Sequence, residues 1–159
     1  MPHVELRPTT LEELAEFLTT AFDEYAEERI QAGQHPDDAR RMADRQRAEY
    51  FPGDQPGPGH LVYRILDGGE PLGILWIGPL PPQRPESYWV FNIEVDETHR
   101  GQGIGRAAML LAEEEARTHG ATVLGLNVFG HNAVARHLYE SLGYETTSVQ
   151  MSKLLTPRH

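Results

Sequence analysis

The chain has 159 residues, about one domain's worth, and its hydrophobic content of 39% is enough to bury a core. It has no cysteine, which excludes disulfides, thiolate catalysis and cysteine-ligated zinc. A formal net charge of −10 argues against a general nucleic-acid binder, whose surface must neutralise phosphates, and is compatible with a cationic or amine substrate.

In chain order, the opening residues Met1 to Glu5 lack the basic and apolar regions of a signal peptide. No apolar run approaches the roughly 18 residues needed to span a bilayer. The expectation is a cytoplasmic protein with no membrane partner. Leu6-Arg7-Pro8 reads as the end of a short first strand. Thr9 or Thr10 can cap a helix, with Glu12 or Glu13 three residues on completing a capping box. Leu11, Leu14, Phe17, Leu18, Phe22 and Tyr25 then recur at helical spacing, and Gly33 is a stop. A second helix is predicted from near Asp37 to Tyr50. Pro52 to Gly59 is rich in proline and glycine and reads as loop.

The period then changes. His60 to Leu66 alternates like a strand, Asp67-Gly68-Gly69-Glu70 is a hairpin turn, and Leu72 to Ile77 is the return strand. A proline-rich loop from Pro79 to Pro85 precedes a third strand, Tyr88 to Val95. The last third predicts a helix beginning around Ala107 and ending near Gly120, a strand from Thr122 to Val128, and a helix from Asn132 to Leu142 stopped by Gly143. A final strand is expected from Tyr144 to Leu154. No repeat or domain boundary is evident. The predicted fold is mixed α/β, with helices on both sides of one sheet.

The segment Arg100-Gly101-Gln102-Gly103-Ile104-Gly105-Arg106 lies between a strand and a helix. Glycines there let backbone approach a ligand at positive φ, and the N–H groups at a helix start, with the helix dipole, attract anions. Arg100 and Arg106 add positive charge where the whole chain has the opposite sign. A ligand-free turn is one alternative. A dinucleotide site is another, since Gly103-x-Gly105-x-x-Ala108 fits its fingerprint, but that site needs a carboxylate at the end of the next strand. Val123-Leu124-Gly125-Leu126-Asn127-Val128 has none.

Arg100-x-x-Gly103-x-Gly105 resembles the Q/R-x-x-G-x-G/A signature of the GNAT N-acetyltransferase superfamily. The stretch from Leu126 to Glu145, with Asn132, an Ala-rich helix carrying Tyr139, and Gly143-Tyr144, resembles the family's next segment in order and spacing. The detailed likeness covers roughly Trp89 to Lys153. It implies one GNAT domain over 1–159, with acceptor-side helices in 1–60 and an acyl-CoA-binding core in 88–153. The sheet would be mixed, mostly antiparallel and splayed, with helices on both sides. Acetyl-CoA would be the acyl donor. Backbone groups of Ile93 and Val95 would pair with its pantetheine arm, N–H groups from Gly101 to Arg106 would cradle its pyrophosphate, Asn132 would hydrogen-bond it, and Tyr139 would sit beside the sulfur. No metal is expected. Family habit also implies a possible homodimer.

The chemistry explains these residue types. An alkylammonium of pKa near 10.4 leaves about one molecule in 2,500 as free amine at pH 7, so a base must take the proton. Glu94, a carboxylate within the apolar strand Tyr88 to Val95, is the candidate base, and alternation sets it opposite Ile93 and Val95. His131 or a water is the alternative base. Asn127, at a position where some relatives carry the base carboxylate, cannot serve. Tyr139 can protonate the leaving thiolate; its plain alternative is a helix aromatic packed beside Leu138 and Leu142. Tyr25, Tyr50, Phe51, Trp76 and Trp89 are candidates for an aromatic acceptor pocket or for core. Asp23, Glu24, Glu27 and Glu28 read as a solvated face that could also attract a cation. The expected function is acetylation of a primary amine on a small molecule, or less so on a peptide. The alternative is a non-catalytic acyl-CoA-binding regulatory domain.

Overall fold

The computed structural model describes residues 3–81 and 84–158. The chain divides into two compact units, one up to Asn127 and one from Val128. The first unit holds helix α1 (Leu11–Gln31), helix α2 (Pro36–Tyr50), helix α3 (Ile104–Thr118) and strands β1 (Val4–Pro8), β2 (Leu61–Asp67), β3 (Glu70–Pro79), β4 (Ser87–Val95) and β5 (Val123–Leu126).

Helix α1 starts at the expected capping box. The Thr10 hydroxyl accepts from the N–H of Glu13 at 3.1 Å, and the Glu13 carboxylate accepts from the N–H of Thr10 at 2.8 Å. Such a cap contributes about 1 kcal/mol. Gly33, at φ +101°, turns the chain after α1. Helix α2 begins at Pro36, whose missing N–H costs nothing in a first turn. The stretch after it, expected to be loop alone, contains one 3-10 turn at Pro52–Asp54, where Pro52 presets φ at the first position while Gly53, at φ 63°, is non-helical.

The five strands form one sheet in chain order. The first three pairings are antiparallel, and β4 pairs with β5 in parallel. The β2–β3 hairpin turns at Gly68 and Gly69, both at positive φ. Strand β3 is longer at both ends than expected, while β5 is shorter. Pro82 and Gln83, within the predicted proline-rich loop, lie outside the described residues. One face of the sheet, with Val62, Ile74 and Trp76, packs against Leu14, Phe17, Leu18 and Phe22 of α1 and Tyr50 of α2. The other face carries Ile65, Leu75 and Ile77 and is covered by α3, which buries Ile104, Ala108, Met109 and Ala112. The Tyr63 hydroxyl donates to Glu115 of α3 at 2.9 Å. Fully burying one such aliphatic side chain stabilises the fold by about 1.5–3 kcal/mol.

The second unit has helix α4 (Ala133–Ser141), with Gly143 at φ +96° after it. The strand expected from Tyr144 to Leu154 does not form. Every hydrogen bond of a strand goes to another strand, so the alternation of Val149 and Met151 cannot by itself hold one. Val149, Met151, Leu154 and Leu155 are all exposed.

Candidate active site

The glycine loop has the conformation its composition requires. Gly101 and Gly103 have φ +78° and +80°, and Gly103 is the N-cap of α3 in the left-handed region. A Cβ at either would meet nothing within 4 Å, so the backbone conformation demands glycine there and open space lies over the loop. No side chain caps α3, and no acidic residue stands in its first turn. Its first N–H groups lack intrahelical acceptors and face outward with the positive end of the dipole. Arg100 precedes the helix and Arg106 lies in its first turn.

Strand β4 leads into this loop and has an open edge. Its pairing with β5 ends at Val90 opposite Leu126, leaving Phe91 to Val95 unpaired on that side. A bulge falls at the same place: Trp76 pairs with Asn92 but Ile77 pairs with Val90, so Phe91 is the extra residue. Phe91 stacks on Trp76 at 4.5 Å. Just past β4, the N–H of Asp96 donates to the carbonyl of Leu72 at 2.7 Å. By the two-residue period, the backbone groups of Glu94 and Asn92 turn toward β3, and those of Ile93 and Val95 toward the open edge. Arg100 Nε donates to the Val95 carbonyl at 3.1 Å. Loop and strand edge are therefore tied together.

Glu94 lies opposite Ile74, on the face packed by α1. Its carboxyl is pushed above the usual range, first by desolvation and then by Glu24 and Glu28 of α1, with Arg100 pulling the other way. Glu94 also lines a cavity of about 290 Å3 between α1 and the sheet. Glu13, Glu16, Phe17 and Thr20 close it from the helix side, and Arg64 and Ile74 line it from β2 and β3. Glu13 is held well down, at about 2, by Arg7, which makes two 3.0 Å hydrogen bonds to it.

Tyr139 and Asn132 belong to the second unit. Asn132 Oδ1 accepts from the N–H of Ala135 at 3.2 Å and caps α4, so its side-chain N–H2 is what remains for a ligand. Tyr139 packs edge-on against Tyr144 at 6.1 Å, and burial pushes its hydroxyl above its ordinary value. His131 stacks on Phe129 at 5.6 Å.

Residues 13–144 match the model of the acetyltransferase (GNAT) family, spanning the glycine loop, the split sheet edge and α4. The chain belongs to the GNAT family. It is similar to the uncharacterised N-acetyltransferase YycN of Bacillus subtilis, 32% identical over 96% of this chain and 99% of that protein. The uncharacterised N-acetyltransferase YdgE of the same organism is 30% identical over 94% of this chain and 97% of its own length. The crystal structure of YycN superposes with a TM-score of 0.83 over 97% of this chain and 99% of that one.

The protein is thus an N-acyltransferase of mixed α/β fold, and acetyl-CoA is the donor that GNAT enzymes use in general. The left-handed glycines, the uncapped start of α3, the arginine of the loop and the open edge of β4 suit a phosphorylated, extended donor. Among the described residues, no helix is long and apolar enough to cross a membrane, and no acid and histidine cluster could hold a metal.

Of the two readings of the aromatic residues, core holds for Tyr50, Phe51 and Trp76, which are packed around Phe22. Trp89 lies over Gly125, where a Cβ would come within 2.6 Å of its ring. Tyr25 sits beneath the Arg29 guanidinium. The cavity residues Glu16, Thr20 and Arg64 escaped sequence reasoning. Their signal was the run Glu13, Phe17, Thr20, Glu24 at one-turn spacing on α1, set against Arg64 inside an apolar strand.

Proposed function

We propose that this GNAT enzyme transfers an acetyl group from acetyl-CoA to the primary amine of a small molecule by direct attack in a ternary complex. The reading rests chiefly on Glu94, a carboxylate of raised pKa that lines a cavity on one face of the strand whose edge at Ile93 and Val95 has no partner strand on the β5 side. In this reading the loop from Arg100 to Arg106 holds the donor pyrophosphate. Ile93 and Val95 align the pantetheine arm along the open edge of β4, and Asn132 contributes its side-chain N–H2.

The amine enters as ammonium and gives a proton to Glu94, directly or through one water. Its lone pair then forms the new C–N bond at the thioester carbonyl. A backbone N–H of the open edge near Val95 donates to the developing oxyanion. As the C–S bond breaks, the thiolate takes a proton from the Tyr139 hydroxyl, whose pKa burial raises, and the nitrogen's second proton, lost as the amide forms, returns through water to the Tyr139 oxygen.

Calorimetric titration with acetyl-CoA and, separately, NAD tests the donor site, and thiol release on adding amines tests the transfer. Micromolar acetyl-CoA binding with no NAD binding, and amine-dependent thiol release, are expected. NAD binding in place of acetyl-CoA would return the loop to its dinucleotide reading.

A further inference from the structure

The cavity under α1 has a charge pattern that acetyl transfer alone leaves unused. Arg64 pairs with Ile74, and Ile74 pairs with Glu94, so the three form one cross-strand row on the face that α1 covers. The row has a cation at one end, an apolar side chain in the middle and a carboxylate at the other. With neighbouring strands about 4.8 Å apart, the backbones of Arg64 and Glu94 are about 10 Å apart.

Arg64 is not satisfied by its neighbour. Glu13 already accepts two hydrogen bonds from Arg7 and one from the N–H of Thr10. Its oxygen stands 3.6 Å from Arg64 Nε, too far for a hydrogen bond. Arg64 Nε is buried without a hydrogen-bond partner. Arg64 has an ion pair with Glu13 but no hydrogen bond at Nε, and its guanidinium on the wall of an open cavity can take an anionic oxygen. The other end has the opposite need. Glu94 lines the same cavity, and the negative charge of Glu24 and Glu28 on α1, opposed in part by Arg100, favours a cation there. A ligand that reaches both ends carries its opposite charges a few carbons apart, within that spacing. Between them, Phe17 and Ile74 belong to one packed apolar cluster. A volume of about 290 Å3 suits a small molecule.

We infer that the acceptor is a compact amino acid, with its amine at Glu94, its carboxylate at Arg64 and a spacer of two or three carbons over Ile74. The inference rests on the acetyl-transfer reading above and adds the acceptor's second charge.

The test compares matched acceptors with acetyl-CoA and the intact protein: 4-aminobutanoate, butylamine and 1,4-diaminobutane, read as thiol release. The expected kcat/KM for 4-aminobutanoate exceeds that for butylamine at least tenfold, and the diamine is no better than butylamine. Arg64→Met should bring the 4-aminobutanoate to butylamine ratio close to one, and Arg64→Lys should keep part of the preference. The substrate comparison needs no variant, so it holds even if Arg64→Met folds poorly. Equal or better turnover of butylamine or the diamine overturns the inference, as does a ratio unmoved by Arg64→Met. If acetyl-CoA binds but none of the three acceptors releases thiol, the amino-acid inference is lost while acetyl transfer to another amine stands. Failure to bind acetyl-CoA would remove the reading beneath both.

Discussion

Arg100 Nε donates to the carbonyl of Val95 at 3.1 Å, so the glycine loop is fastened to the last residue of β4 by a charged side chain. The same guanidinium lies close enough to Glu94 to lower its pKa. Arg100→Gln should loosen the loop and remove a positive charge from the donor site. A hydrogen bond to a charged group is worth about 1.5–3 kcal/mol, so acetyl-CoA should bind about 10- to 100-fold more weakly by calorimetry. An unchanged affinity would show that Arg100 serves only the fold.

In the proposed mechanism Glu94 must be unprotonated to accept the amine proton, and desolvation with Glu24 and Glu28 has raised its pKa. Turnover should therefore rise with pH through that raised value. Glu94→Gln should lose this limb of the kcat/KM profile and lower kcat by about 10^2- to 10^4-fold. A profile of the same shape in the variant would transfer the base role to His131 or to water.

The conformation of the glycine loop and the start of α1 were legible because each is local. Gly101 and Gly103 announce positive φ within a few residues of a helix start, and Thr10 with Glu13 announces a cap across one turn. The acceptor-side cavity was not legible, because Arg64, Ile74 and Glu94 meet only through the registers of β2, β3 and β4. Register depends on pairing between distant segments, and the bulge at Phe91 shifts it by one residue partway along. Aromatic content left two readings open for a related reason. Trp76 and Tyr50 look alike in sequence whether they line a pocket or fill a core, and here they fill the core. Tyr144 to Leu154 has a strand's alternation without a ladder, which no local pattern supplies.

Tyr139, whose pKa burial raises further above neutrality, is protonated across the neutral range, and in the proposed mechanism it donates to the leaving thiolate. Tyr139→Phe removes the donor and keeps the ring that packs on Tyr144. Its kcat should fall by about 10^2-fold or more. Acetyl-CoA affinity should change by no more than about tenfold, the value of one neutral hydrogen bond. Stopped-flow thiol release and calorimetry separate the two quantities. A variant with parental kcat would remove Tyr139 as the acid.

His60 is a buried histidine outside this chemistry, and it makes acid sensitivity predictable. Its Nδ1 accepts from the Trp76 indole N–H at 3.0 Å, so the neutral ring carries its proton on Nε2, which is buried without a partner. The ring occupies the space of a side chain at position 78: a Cβ on Gly78 would come within 2.3 Å of His60 Nδ1. Burial lowers the His60 pKa from 6.5 to about 4. The unfolded chain takes up the proton at the higher pH, so the neutral ring's stabilisation is complete above 6.5 and is lost as pH falls toward 4. The loss is of order 3 kcal/mol. Glu13, lowered from 4.5 to about 2, withdraws its contribution in a more acidic window, so the two barely overlap. His60→Gln retains an acceptor for the indole but does not titrate. Its unfolding free energy in urea should start below that of the parent at pH 7, and the gap should narrow by about 3 kcal/mol on reaching pH 4. A gap that stays constant over that window would mean His60 charges as easily in the folded protein as in the unfolded chain.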